Sequence, residues 1–186
     1  MEEKIKRIIS EQEKKLGNTN FVWNHTQRVR KLCSRLAELE HADTRLLDAA
    51  AILHDISKLD CLETGEKHAE IGAEKAKDFL NGFSTEETET VCGIIKKHSD
   101  KGSGGTIEEQ ILQDADLLDK LGAVGIGTFF IKAGIFGKTH KDFLKKDFQE
   151  YGKRLNTQSA KKMFEERLAL MKEFSERLKK ELEGEI

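Results

Sequence analysis

The sequence predicts an all-α protein built as a single-domain helical bundle. Three observations carry this. Apolar residues recur every three or four positions in successive segments, no stretch shows the alternation of a half-buried strand, and proline is absent, so glycine and polar caps must end the helices. A chain of 186 residues is long enough to enclose a sizeable core in one domain spanning 1–186. Apolar residues make up 37% and charged residues 35%, the balance of a soluble globular protein. The 32 basic and 34 acidic residues are spread along the chain for a net charge of −2, which argues against a nucleic-acid patch or a membrane surface. No apolar run approaches the ~20 residues that span a bilayer. Met1-Glu2-Glu3-Lys4 lacks the apolar core of a signal peptide. Cys33, Cys61 and Cys92 form no C-x-x-C pair and suit a reducing cytoplasm.

Taken in order, Ile5, Ile8, Ile9 and Leu16 mark a first helix over 2–16 that Gly17 stops. A second runs from about Asn20 to Glu40 with Val22, His25, Val29, Leu32 and Leu36 as its apolar stripe, so His25 faces inward. A third begins near Asp43 or Thr44 and ends after the adjacent pair His54-Asp55, with Leu47, Ala50, Ala51 and His54 on one face. Residues 60–67 read as a loop turning at Thr64-Gly65. A fourth helix covers about 66–80, with His68, Ile71, Gly72 and Phe79 on one side. Ser84 with Glu87 and Thr106 with Glu109 are capping boxes that open the next two helices. The first of these ends its apolar stripe at His98. The second, 107 to about 121, contains Asp114-Ala115-Asp116-Leu117-Leu118-Asp119. Gly102-Ser103-Gly104-Gly105 between them is a flexible loop. The small-residue stretch Gly122 to Gly127 permits close helix contact or a break. A short helix is expected over 141–151. A long amphipathic one is expected over 159–183, with Phe164, Leu168, Met171, Phe174, Leu178 and Leu182 inward.

Chemistry concentrates on one side of this pattern. His54-Asp55 ends an Ala/Leu stripe and offers imidazole nitrogen and carboxylate oxygen together, a mixed donor set that divalent metals take. Burying both is costly unless a cation or a salt bridge compensates. His25, His68 and His98 also sit on apolar faces, and Asp116 follows. One inward histidine is ordinary. Four histidines and two aspartates on five successive helices point to a shared site, with separate buried polar networks as the bland alternative. Lys58, one turn past the pair, is either a phosphate contact or a solvated lysine. His41 and His140 read as surface residues. Gly137-Lys138-Thr139 has neither the first glycine nor the preceding strand of a phosphate loop.

His25-Thr26-Gln27-Arg28-Val29, Leu53-His54-Asp55-Ile56, Ile94-Ile95-Lys96-Lys97-His98-Ser99 and Asp114-Ala115-Asp116-Leu117-Leu118-Asp119, in that order, resemble the HD-domain metal-dependent phosphohydrolases. The resemblance covers about residues 20–130, with the helices over about 141–183 packing on that core. It implies one divalent metal held by His25, His54, Asp55 and Asp116. It further implies that His68 and His98 bind a second metal or contact the substrate phosphate, Asp55 then lying between two ions. Relatives of this type often place a basic residue after the small-residue stretch, where this chain has Thr128-Phe129. Asp119, one turn past Asp116, is either a partner that orients a ligand or a surface carboxylate.

The donor set suits Mn, Fe, Ni, Co, Zn or Mg. The implied activity is hydrolysis of a nucleotide or another small phosphate ester, with Asp55 and Lys58 in catalytic roles. A di-iron oxygenase on the same scaffold, or a metal-dependent sensor without turnover, are the alternatives.

Overall fold

The computed structural model describes residues 1–17, 20–100 and 105–185. Eleven α-helices are found among them, and no strand. The bundle is built on α2 (Phe21–Glu40), α3 (Thr44–Leu53), α6 (Thr85–Lys97) and α7 (Ile107–Leu118). α2 packs on α3 and α7, and α3 packs on α6. α3 is buried almost all round, from Leu47 through Leu53, because Ala49, Ala50 and Ala51 are small enough to let its neighbours close in. α1 (Glu2–Glu13) buries Ile5 and Ile9, and α5 (His68–Ala76) lies on α6.

Caps set the element boundaries. Both expected capping boxes form, at Ser84 with Glu87 and at Thr106 with Glu109. Asp43 caps α3 by accepting from the Arg45 and Leu46 amides. Gly17 and Gly65 close their segments in the left-handed region, where a side chain would be strained.

The expectations differ from the structure in five places. α3 ends at Leu53, so the His54-Asp55 pair lies in the tight turn after it, with His54 as its C-terminal cap. Residues 60–67 contain a one-turn helix, α4 (Cys61–Thr64). The small-residue segment after α7 is no break but the start of a helix in close contact with its neighbours: α8 (Gly122–Phe136) runs for 15 residues. Gly122 starts it at φ 69°, and a Cβ on Gly125 would sit 2.3 Å from the Lys120 carbonyl oxygen, so the turn from α7 into α8 requires glycine there. The short helix expected over 141–151 is two, α9 (His140–Leu144) and α10 (Gln149–Gly152). In α11 (Gln158–Glu183), Phe164, Leu168 and Met171 are buried, but Leu182 is 53% exposed because the last turns extend past the bundle. The loop expected at Gly102 to Gly105 falls outside the described residues except for Gly105.

α11 packs on α8 and α7. Asp114 ties it down. Its carboxylate accepts from the Asn156 and Thr157 amides, both at 2.8 Å, and from Thr157 Oγ1 at 2.7 Å. Thr157 in turn caps α11. Gly137 closes α8, and Thr139 opens α9 with Asp142, so Gly137-Lys138-Thr139 is helix punctuation.

Candidate metal centre

Six residues from five elements converge. α2 supplies His25, the turn after α3 supplies His54 and Asp55, α5 supplies His68, the end of α6 supplies His98, and α7 supplies Asp116. His25, His54 and Asp116 offer ligand atoms within 4.8 Å of one another, as do Asp55, His68 and His98. Asp55 joins the two groups. Its Oδ2 lies 3.4 Å from the Nε2 of both His25 and His54, and its Oδ1 lies 3.5 Å from His68 Nε2 and 3.7 Å from His98 Nε2. All are buried except His68, whose side chain is 28% exposed and forms the open edge.

Hydrogen bonds behind the cluster fix the ring nitrogens. His54 Nδ1 is 2.7 Å from the Ala51 carbonyl and His98 Nδ1 is 2.6 Å from the Ile95 carbonyl. A carbonyl only accepts, so both Nδ1 atoms carry hydrogen and donate. His25 Nδ1 likewise donates to Asp119 Oδ2 at 2.7 Å, while Arg28 grips the same carboxylate from Nε at 2.7 Å and Nη2 at 2.9 Å. Asp119 is therefore the partner that orients His25, one of its two expected readings. Arg28 has a role that the motif around His25 does not by itself disclose. Its signal was the three-residue step from His25, which puts both on one helical face.

With Nδ1 committed, the Nε2 lone pairs of neutral His25, His54 and His98 point inward. His54 Nε2 is 3.3 Å from His25 Nε2, and His68 Nε2 is 3.2 Å from His98 Nε2. Asp55 Oδ1 and Asp116 Oδ1 are buried and accept no hydrogen bond among the described residues. Inward lone pairs and unpartnered carboxylate oxygens at these separations repel unless a cation lies among them. Two imidazole nitrogens with a carboxylate oxygen on each side of Asp55 match the donor preferences of divalent transition metals, so the residues present fit a metal.

The electrostatics agree. Burial pushes the Asp55 carboxyl up, but Lys58 and the imidazoles of His54 and His98 outweigh it and hold it well below the usual carboxylate range. Burial likewise opposes ionisation of Asp116, and Lys120 and His25 overcome it. Burial lowers His54 and brings His68 down to about 4. Burial also acts downward on His25, yet the carboxylates of Asp116, Asp119 and Asp55 raise it overall. Both anionic ligands stay charged, His54 and His68 favour the neutral form that metal binding requires, and His25 must give up a proton to bind.

Lysines rim this centre. Lys58 Nζ donates to Asp55 Oδ2, and Lys120 Nζ donates to Asp116 Oδ2 at 2.6 Å. Lys58 is thus not a freely solvated lysine. Lys132, on α8, was not foreseen; it lies one turn beyond Thr128, a relation visible only once 122–136 is a helix. It is half-buried, 4.3 Å over the Phe21 ring, and burial beside Lys58 and Lys120 lowers it to about 8. Two clefts meet at Lys132. One is walled by Phe21, Leu62, Ile135 and Phe136 and reaches Lys58. The other is lined by Lys120, Lys146, Phe148 and Tyr151, with no acidic residue. His41 and His140 are exposed and belong to neither group of ligand atoms. No helix among the described residues is long and apolar enough to cross a membrane.

Comparison with known proteins agrees with this geometry. The HD domain family matches residues 22–121. The uncharacterised protein YpgQ of Bacillus subtilis is 30% identical over 183 residues, covering 87% of this chain and 84% of its own. A predicted HD superfamily hydrolase from an uncultured Thermotogales bacterium superposes with a TM-score of 0.73 at 31% identity, covering 97% of this chain and 92% of its own. The structure of YpgQ in complex with ADP superposes at 0.69, with 29% identity over 86% of this chain and 88% of that one. The chain belongs to the HD-domain superfamily of hydrolases.

Proposed function

We propose that the protein is a metal-dependent phosphohydrolase acting on a nucleotide or another small phosphate ester. One observation carries the reading: Asp55 lies between two imidazole groups and has an unpartnered, buried oxygen, beside a rim of lysines. His25, His54, Asp55 and Asp116 would hold a divalent cation, and His68 and His98 would hold a second ion or donate to a substrate phosphate. A cation bound there supplies positive charge to a phosphoryl oxygen and lowers the pKa of a coordinated water.

The chain's own residues do the rest. Asp119 and the Ala51 carbonyl keep two imidazoles oriented, and burial keeps bulk water from competing for their lone pairs. Lys58 and Lys132 place positive charge where an anionic substrate enters, which favours encounter and positioning. The ADP held by YpgQ supports a nucleotide ligand in this chain as well.

The test is phosphate release from a panel of nucleotides and sugar phosphates, with each of the candidate metals supplied. Release that depends on added metal and disappears in Asp55→Ala supports the reading. Metal bound without turnover of any substrate leaves a sensor or scaffold. The two-sided histidine arrangement around Asp55 is also what favours the oxygenase alternative, which the absorbance of a di-iron centre in freshly purified protein would reveal.

A further inference from the structure

The chemistry above leaves one cleft without a use. It lies where the start of α2, α4 and the end of α8 meet, and its lining is almost wholly carbon: Leu59, Leu62, Ile135 and Phe136, with Phe21 beside them. Glu13, the last residue of α1, also borders it, but its buried carboxylate is spent on the amides at the start of α2. Among the described residues, the cleft therefore offers a ligand no carboxylate. Leu62 and Phe136 are 60% and 57% exposed, and Ile135 is 41% exposed. Large apolar groups gathered open to water around a concavity mark a surface that something apolar covers in use.

Two lysines say which end of a ligand lies where. Lys58 lines the cleft while its ammonium donates to Asp55 Oδ2, so the carbon walls run directly up to the metal centre. Lys132 lines the cleft too and sets a second ammonium 4.3 Å over the face of Phe21. A ligand that fills cleft and centre together is an amphiphile, with its phosphate at the metal and ammonium groups and a carbon body below. A nucleobase suits the space poorly. Its edge carries several donors and acceptors that walls of carbon do not meet, and the Lys132 ammonium covers one face of Phe21. The space, about 150 Å³, is the size of an apolar protein cavity that takes up benzene, so it holds about six carbons.

We infer that the cleft walled by Leu59, Leu62, Ile135 and Phe136 is a subsite for the hydrocarbon part of a phosphorylated apolar alcohol, about six carbons in size, whose phosphate lies at the metal centre beside Lys58. This rests on the phosphohydrolase reading and deepens it. Among small phosphate esters it selects those of apolar alcohols over nucleotides.

The test titrates the metal-loaded protein at pH 8 with methyl-, butyl-, hexyl- and octylphosphonate, which resist hydrolysis, and with adenosine 5′-phosphonate. Affinity should rise by up to about fourfold per methylene as far as hexyl, the scale of burying one CH2, and level off at octyl once the cleft is full. Hexylphosphonate should bind more tightly than the adenosine compound. Phe136→Ser and Leu62→Ser, at two exposed walls, should each reduce the gain per methylene while keeping a melting temperature near that of the wild type. Affinity independent of chain length, a series unchanged in both variants, or tighter binding of the adenosine compound overturns the inference. So does the absence of binding by any alkylphosphonate. Phosphate release from hexyl phosphate and from AMP is scored separately. Release without any dependence on chain length keeps the phosphohydrolase reading and removes the subsite, whereas binding that grows with chain length without release of phosphate does the reverse.

Discussion

His25 and His54 bring their Nε2 atoms to 3.3 Å of each other, and the opposite nitrogen of each ring donates a hydrogen bond away from the site. Only a proton or a metal cation relieves that contact. The proton is thus the metal's competitor, and the two states differ in pH dependence.

The pH dependence of metal affinity follows from His25. Its pKa lies above the ordinary 6.5 because neighbouring carboxylates outweigh burial. His54 lies below its ordinary value and His68 near 4, so the proton on His25 is held more tightly than either of theirs. Affinity is therefore full above the His25 pKa and falls about tenfold per pH unit below it, one proton being displaced. Metal titrations from pH 8.5 to 5.5 should show the decline beginning above pH 6.5. A flat profile over that interval would contradict the assignment of His25.

Lys58→Ala should leave metal content unchanged, because Lys58 donates to Asp55 Oδ2 and offers no ligand while paired. Loss of one charge-assisted contact to substrate predicts a fall in kcat/KM worth roughly 1.5–3 kcal/mol. Unaltered kinetics would restrict Lys58 to balancing the Asp55 charge.

The pair His68→Ala/His98→Ala should retain the first metal and lose most activity. Both rings face Asp55 Oδ1 whereas His25 and His54 face Oδ2, so the first ion keeps its ligands. Elemental analysis beside phosphate release separates the two effects. Loss of all metal would show that the six residues form one indivisible site.

Asp114→Ala tests how the last helix is held. It removes the acceptor for two backbone amides, the Asn156 side-chain amide and a hydroxyl at the start of α11. The cost should be about 2–4 kcal/mol, a fall in Tm of roughly 5–15 °C by calorimetry. A shift of a degree or less would mean that α11 is held by Phe164, Leu168 and Met171 alone.

The site was legible because its residues end or continue apolar stripes. His25, His54 and His98 each fall where the next helical position should be buried, and the structure buries them. The capping boxes at Ser84 and Thr106 were legible for a similar reason, since three-residue spacing is a local property. α8 was not. Its apolar residues run all round and four glycines interrupt it, so no amphipathic period marks it as a helix. Lys132 and the two clefts were lost with it. Glu13 was unreadable because its partner, the start of α2, is recognisable only from the fold. Leu182 continues the stripe of α11 in sequence, but nothing in a periodicity tells where the neighbouring helices stop.

The central claim is that His25, His54, Asp55 and Asp116 hold a divalent metal. Elemental analysis of freshly purified wild-type protein and Asp55→Ala, followed by metal titration of each at neutral pH, tests it most directly. At least one transition-metal ion per chain in the wild type is predicted, with loss of that ion and retained helical circular dichroism in the variant. A wild-type protein that neither carries nor takes up metal, or a variant that loses its helices along with Asp55, would contradict the account and leave the cluster as a buried hydrogen-bond network.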